Sequence, residues 1–158
     1  MNIFFLDNTP HGSAIALCDK HVVKMCLETA QMLSTAHREL QGDDCDPRVY
    51  KSTHKNHPST VWVRTNRANY RWAFDLFASI AQEYTHRYNK VHLCWHKLAT
   101  SLWIPPSNCP EGSLSPVPQC MPDEYKSRDP IEAYRHYYIG EKLAFAKWTN
   151  RNQPEWIK

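Results

Sequence analysis

The chain has 158 residues, a net charge of +3 and 42% apolar residues. That suffices for one packed domain, is short for two, and excludes a disordered chain. Four glycines argue against a turn-rich sandwich or barrel, and the mild positive charge falls short of the excess expected of a dedicated duplex-binding domain.

In chain order, residues 2–6 suit a short strand or a buried N-terminal arm. Thr9-Pro10 reads as a helix cap followed by proline at the first helical position. From Ser13 to Leu40 neither proline nor glycine interrupts the chain. Val22, Cys26, Thr29, Leu33, Ala36 and Leu40 recur at helical spacing, which predicts a first long helix ended by Gly42. A polar connection follows over 43–58, with room for one helical turn at 48–52. Pro58 opens a second helical region, and Tyr70, Ala73, Phe74, Phe77, Ile80, Ala81, Tyr84 and Tyr88 predict a helix over 66–88. Residues 91–102 suggest a further helix. Six prolines then mark residues 104–123 as irregular; this Pro-rich loop, taken to 128, is a candidate lid. Asp129-Pro130-Ile131-Glu132 has the form of a helix start, with the helix expected to reach Trp148, and 152–158 read as a tail. The expected fold is mainly α: a single-domain helical bundle over 1–158 with a short N-terminal strand or arm.

The six cysteines show neither a C-x-x-C pair nor zinc-finger spacing, so free thiols are expected and no metal ligand set is assigned. Asp43, Asp44 and Asp46 could hold a hard cation but suit a solvated loop better. No apolar run reaches membrane length. No cofactor motif is present: there is no glycine-rich phosphate loop, no G-x-S-x-G and no H-E-x-x-H.

Three segments carry candidate binding chemistry. His21, Lys24, Glu28, Gln31 and Thr35 lie on one helical stripe. It reads either as a solvated face or as a cleft wall in which His21 and Lys24 hold phosphate while Glu28 or Gln31 takes a hydroxyl. Residues 51–60, with His54, Lys55 and His57 beside a helix N-terminus, combine free amides with cationic donors, as an anion site requires. Arg64, Arg67 and Arg71 alternate with Trp62, Tyr70 and Trp72, a pairing that can clamp phosphate and stack a base. A related cluster on the last helix holds Arg135 and Tyr138, where packing competes with stacking. His37 falls inside the apolar arc and reads as a core residue.

Residues Cys18-Asp19-Lys20-His21-Val22-Val23-Lys24-Met25, Tyr50-Lys51-Ser52-Thr53-His54-Lys55-Asn56-His57-Pro58-Ser59, Met121-Pro122-Asp123-Glu124-Tyr125-Lys126 and Tyr137-Tyr138-Ile139-Gly140-Glu141-Lys142 resemble small uncharacterised proteins of tailed, T4-like phages. Phage proteins of this size include sponges that sequester nucleotide signals of host defence, and similarity in kind to these implies capture of a small phosphorylated nucleotide in the host cytoplasm. The expected binding set is then His21, Lys24, Glu28, Gln31, His54, Lys55, His57, Arg64, Arg67, Tyr70, Arg71, Trp72, Arg135 and Tyr138. Two alternatives stay open: a metal-independent phosphodiesterase using His54, His57 and His21, and a factor that modifies or repairs phage DNA. Nucleic acid ranks below a free nucleotide as partner because the net charge is modest. A homo-oligomer is permitted.

Overall fold

Proline and small polar caps set where the helices begin. In a computed structural model describing all residues 1–158, the chain forms six α-helices and no strand. They are α1 (Pro10–Ala16), α2 (Asp19–Gln41), α3 (Pro58–Thr65), α4 (Arg67–Tyr88), α5 (Leu93–Leu102) and α6 (Pro130–Glu141). Proline takes the first position of α1, α3 and α6, where no backbone N–H is needed. Thr9 Oγ1 accepts from the Gly12 N–H at 2.9 Å, Asn66 Oδ1 from Asn69 at 2.9 Å and Asp129 Oδ1 from Ile131 at 2.8 Å, each satisfying an orphan donor. Gly42 and Asn89 close α2 and α4 at positive φ, 58° and 52°, Asn89 in the left-handed helical region.

Three boundaries depart from the periodicity, each because a tertiary bond intervenes. The predicted helix over Ser13–Leu40 is two helices, broken at Leu17–Cys18. There the Cys18 N–H donates to the Tyr138 hydroxyl at 2.8 Å and the Asp19 N–H to the Lys147 carbonyl at 2.8 Å. The turn allowed at 48–52 is absent. Arg38 donates to the carbonyls of Pro47, Val49 and Tyr50 and holds that stretch non-helical, while Gly42–Asp44 form a single 3-10 turn. Helix α6 ends at Glu141 rather than Trp148, since the Asp19 carboxylate captures the backbone and hydroxyl of Thr149 at 2.9 and 2.7 Å.

Helix α2 is the central element, packed on α3, α4 and α5, with α1 across α4. One hydrophobic core runs from Ile3 to Tyr138, so the N-terminal segment and α6 belong to the same interior. The segment expected as strand or arm is an arm: it lacks regular structure, yet Ile3 and Leu6 are fully buried. The Pro-rich segment is irregular apart from a 3-10 turn at Asp123–Tyr125. Trp62 and Asn66 donate to the carbonyls of Ser115 and Ser113, Asn69 to the Ser115 hydroxyl, and Arg67 to the carbonyls of Cys109 and Ser107, which make the segment a brace across the α3–α4 junction. All six cysteines are free. No helix is long and apolar enough to cross a membrane.

A buried ion cluster closes the far end of α4. Arg87, with no exposed side-chain surface, bonds Glu83 at 2.7 Å, Asp19 at 2.9 Å and the Ile15 carbonyl at 3.0 Å, and Arg151 bonds Glu83 at 2.9 Å. Burial alone would raise the Glu83 pKa, but hydrogen bonds from Arg151 and Arg87 outweigh it and hold the carboxyl below its usual range. Arg87→Met leaves Glu83 buried with only the partly exposed Arg151. A loss of about 3–5 kcal/mol is expected from breaking such a pair, measured as a lower urea midpoint with unchanged slope.

Candidate active site

Chain ends fray unless something ties them down. Here successive residues of the arm are held by different elements. The Thr60 hydroxyl of α3 donates to the Met1 Sδ at 3.4 Å. The Asn2 side chain donates to the Cys120 carbonyl at 2.9 Å and accepts from the Tyr134 hydroxyl at 2.9 Å. Phe4 stacks on His21 at 4.6 Å and meets Tyr138 edge-on at 5.4 Å, and Phe5 lies 4.7 Å from Trp72. Arg135 Nε donates to the Leu6 carbonyl at 2.9 Å. The arm ends where Asp7 accepts from the backbone and hydroxyl of Thr9; a Cβ on Gly12 would fall 2.3 Å from that carboxylate, so glycine is required there.

The outcome of this anchoring is the position of the Met1 nitrogen, 3.6 Å from Glu28 Oε2. The Met1 side chain is 2% exposed although the residue as a whole is half-buried, so what Met1 shows to solvent is backbone, where the nitrogen lies. The Glu28 side chain is 12% exposed, and its other oxygen meets Lys24 Nζ at 3.5 Å. One sheltered carboxylate therefore holds two amines.

Residues 51–57 close a second side. Thr35 on α2 exchanges hydrogen bonds with the backbone of Thr53 at 3.1 and 3.2 Å, and Glu39 bonds Ser52 at 2.7 Å and pairs with Lys55 at 3.8 Å. The exposed tip carries His54 at a φ of 46°, an unusual conformation for a side chain of this size. His57 caps α3 by accepting from the Ser59 N–H on Nδ1 at 3.2 Å, so the neutral ring carries its hydrogen on Nε2. Burial lowers the His57 pKa, the charges of the Met1 ammonium and His54 push the same way, and Glu28 opposes them; the imidazole thus lies within electrostatic reach of the amine–carboxylate pair. Arg64 follows Thr60 by one turn on the same face of α3, and its Nη1 is buried without a hydrogen-bond partner.

The structure thus brings Glu28 and Lys24 to the Met1 amine, with His57 within electrostatic reach, His54 on the neighbouring exposed tip, Arg64 one turn beyond Thr60 on α3 and Gln31 half-buried one turn beyond Glu28. Lys55 stands at the edge, drawn towards Glu39. The remaining nominated residues lie elsewhere or serve as framework. His21 is buried beneath Phe4, and the Tyr138 hydroxyl, which accepts from Cys18, shares a hydrogen bond with His21 Nδ1 at 2.7 Å. Tyr70 sits between His37 Nε2 at 2.8 Å and the Leu102 carbonyl at 2.9 Å, and Trp72 packs edge-on to Trp62. Arg135 holds Leu6 and lies over Trp156. Arg67 is spent on the Pro-rich brace and Glu111, and Arg71 faces a different hollow. What sequence reasoning missed is Met1. Its contribution is a main-chain amine, absent from any inventory of side chains, and the one signal for it was the apolar arm.

Residues 1–96, more than half the chain, match the profile of a family described as pyrimidine dimer DNA glycosylase. The chain belongs to that family. The matched range contains every member of the cluster around Glu28. No curated protein and no solved structure matches the chain. The phage-type resemblance stands at the level of this family. The expected sequestration of a nucleotide immune signal does not, because the pyrimidine dimer DNA glycosylase family is named for an enzyme of DNA repair. The same match overturns the anti-defence role and the ranking of a free nucleotide above nucleic acid. It favours the repair alternative. The net charge misled because it sums the whole chain, in which Asp19 and Glu83 cancel Arg87 and Arg151 in the buried cluster, and it says nothing of where the remaining charges lie.

Burial, aided by the charges of Lys142 and Lys24, lowers the His21 pKa to about 4. An unfolded histidine titrates near 6.5. Between these values the unfolded chain binds a proton that the folded chain refuses, so stability is full above the upper value and falls as pH drops towards the lower. Urea midpoints measured from pH 7 to pH 4 should decline, and His21→Phe should flatten that part of the slope.

Proposed function

We propose that the chain is a DNA glycosylase acting on damaged pyrimidines, with the α-amine of Met1 as nucleophile and Glu28 as its acid–base partner. The observation that carries this reading is the Met1 nitrogen 3.6 Å from a carboxylate that is itself only 12% exposed. Family membership supplies the substrate class.

The chemistry follows from the pair. A glycosylase must reach C1′ of a nucleotide, which requires extruding it or its opposite base from the stack. The unprotonated amine attacks C1′ and the C1′–N bond breaks, its electron pair leaving with the pyrimidine. Glu28 takes a proton from the attacking nitrogen and, while ionised, steadies the positive charge that develops on the sugar. The C1′–O4′ bond then breaks, its electron pair going to O4′, which takes the second nitrogen proton, and an imine joins Met1 to C1′ of the opened sugar. Lys24, which shares the Glu28 carboxylate, and the exposed His54 are available as donors for the flanking phosphates, and Arg64, whose Nη1 has no partner within the fold, is a third on α3. His57, kept neutral by burial, can donate from Nε2 without adding charge beside the amine.

Borohydride reduces an imine to a stable secondary amine, so dimer-containing duplex DNA should become covalently attached to the protein in its presence. Peptide mapping should place the attachment on Met1. Glu28→Gln should cut turnover by about 10²–10⁴-fold while retaining binding of the same duplex. Acetylation of the α-amine should abolish the adduct. Attachment to Lys24, which touches the same carboxylate, or activity that survives acetylation, would overturn the assignment of Met1.

A further inference from the structure

The face of the molecule opposite Glu28 carries a second set of features for which the proposed reaction has no use. His37 lies nine residues beyond Glu28, about two and a half turns along α2, and so points the other way. On that side α5 docks against α2 through His92 Nε2 and the Val23 carbonyl at 3.2 Å. Between α4, α5 and the start of the Pro-rich segment lie two adjoining hollows. One, of about 340 Å³, is walled by Phe74, Trp95, Ala99, Thr100 and Trp103. Its neighbour, of about 350 Å³, shares Phe74 and Trp103 and adds Arg67, Arg71, Asp75 and Ile104.

Trp103 and Ile104 are both 67% exposed, an uncommon display for side chains of their size. Trp103 stands edge-on to Phe74 with centroids 5.5 Å apart, and Trp95 lies 6.1 Å from Phe74, so three rings line the slot. Arg71 is exposed and forms no ion pair, whereas Arg67 is neutralised by Glu111 at 2.9 Å. Asp75, one turn after Arg71, is the single carboxylate lining the pair of hollows; partial burial raises its carboxyl and the Arg71 charge opposes that without closing an ion pair. Rings arranged as a slot, with the exposed guanidinium of Arg71 at its border, match the chemistry of an unpaired base with its phosphate. An undistorted duplex keeps its bases stacked and has none to offer this face. A protein partner would find apolar surface here, but charge complementarity favours a polyanion.

We propose that the Phe74–Trp95–Trp103 slot takes an unpaired nucleobase of single-stranded DNA, with a neighbouring phosphate on Arg71. This rests on the reading of DNA as the partner, but not on the chemistry at Glu28. Stacking without base-edge readout makes the contact tolerant of sequence, and the phosphate contact makes it sensitive to salt.

The test is titration of the full chain with a short oligothymidylate, followed by tryptophan fluorescence and by anisotropy of a labelled strand. The wild-type fluorescence should be quenched, and an unlabelled duplex of equal length should compete poorly. Trp103→Ala should weaken binding by about five-fold to one-hundred-fold, the range for one stacked base, and Trp103→Phe should recover most of it. Arg71→Gln should lower affinity and flatten the salt dependence. Glu28→Gln should bind the oligothymidylate as the wild type does, so loss of cleavage and loss of this contact are separable. Equal affinity of wild type and Trp103→Ala overturns the proposal. So does a wild-type dimer that Trp103→Ala converts to monomer without loss of oligonucleotide binding, which would mark the slot as an interface between two copies of the chain.

Discussion

The position of one nitrogen atom depends on how the N-terminal arm is held. A free chain end samples many conformations, and ordering each residue costs about 1–2 kcal/mol of backbone entropy. The arm offsets that cost by burying Ile3, Phe4 and Leu6 in the main core and by giving its polar groups fixed partners in Tyr134, Cys120 and Arg135. Anchors come from α2, α3, α4, α6 and the Pro-rich segment, so the site is assembled from most of the molecule although it presents few atoms to solvent. An amine on the main chain of a packed arm has less freedom than one at the end of a lysine, and Lys24, 67% exposed on the same carboxylate, is the local contrast.

Charge is distributed to match. The buried carboxylate Glu83 is fully paired at the far end of α4, where Arg87 and Arg151 complete a closed network. Glu28 is paired as well, but with two amines at 3.5 and 3.6 Å, longer and looser than the 2.7 Å contact at Glu83. The first arrangement is built to stay shut and tie the C-terminal segment to α2. The second leaves its partners reachable, and the unpartnered Arg64 Nη1 adds an unspent donor on the α3 face that meets Met1. His21, one turn before Lys24, shows how the same stripe divides: its N-terminal end is core, and its middle meets the Met1 amine.

The arginine series shows where spacing misleads. Arg64, Arg67 and Arg71 lie three and four apart and would share a face on one helix. Asn66 instead caps a new helix, so Arg64 belongs to α3 and the other two to α4. The three part company: one follows Thr60 on the α3 face that meets Met1, one staples the Pro-rich brace, and one borders the aromatic slot. Tyr70, Trp72, Tyr138 and Arg135 looked equally suited to a ligand. Their rings and donors are consumed inside the fold, and for Trp72, Tyr138 and Arg135 that use is to hold the arm.

Local signals in the chain determined the helical class, the capped starts at Thr9, Asn66 and Asp129, the stop at Gly42 and the irregular Pro-rich stretch, because caps and periodicity act over a few residues. The stripe from Lys24 through Glu28 and the cationic stretch around His57 were legible for the same reason. The break before Asp19, the early end of α6, the sorting of nominated residues into site and scaffold, and the placement of Met1 were decided only in three dimensions. Each depends on partners distant in the chain, such as Cys18 with Tyr138 or Met1 with Glu28, and no local pattern encodes a contact between segments that meet only after folding.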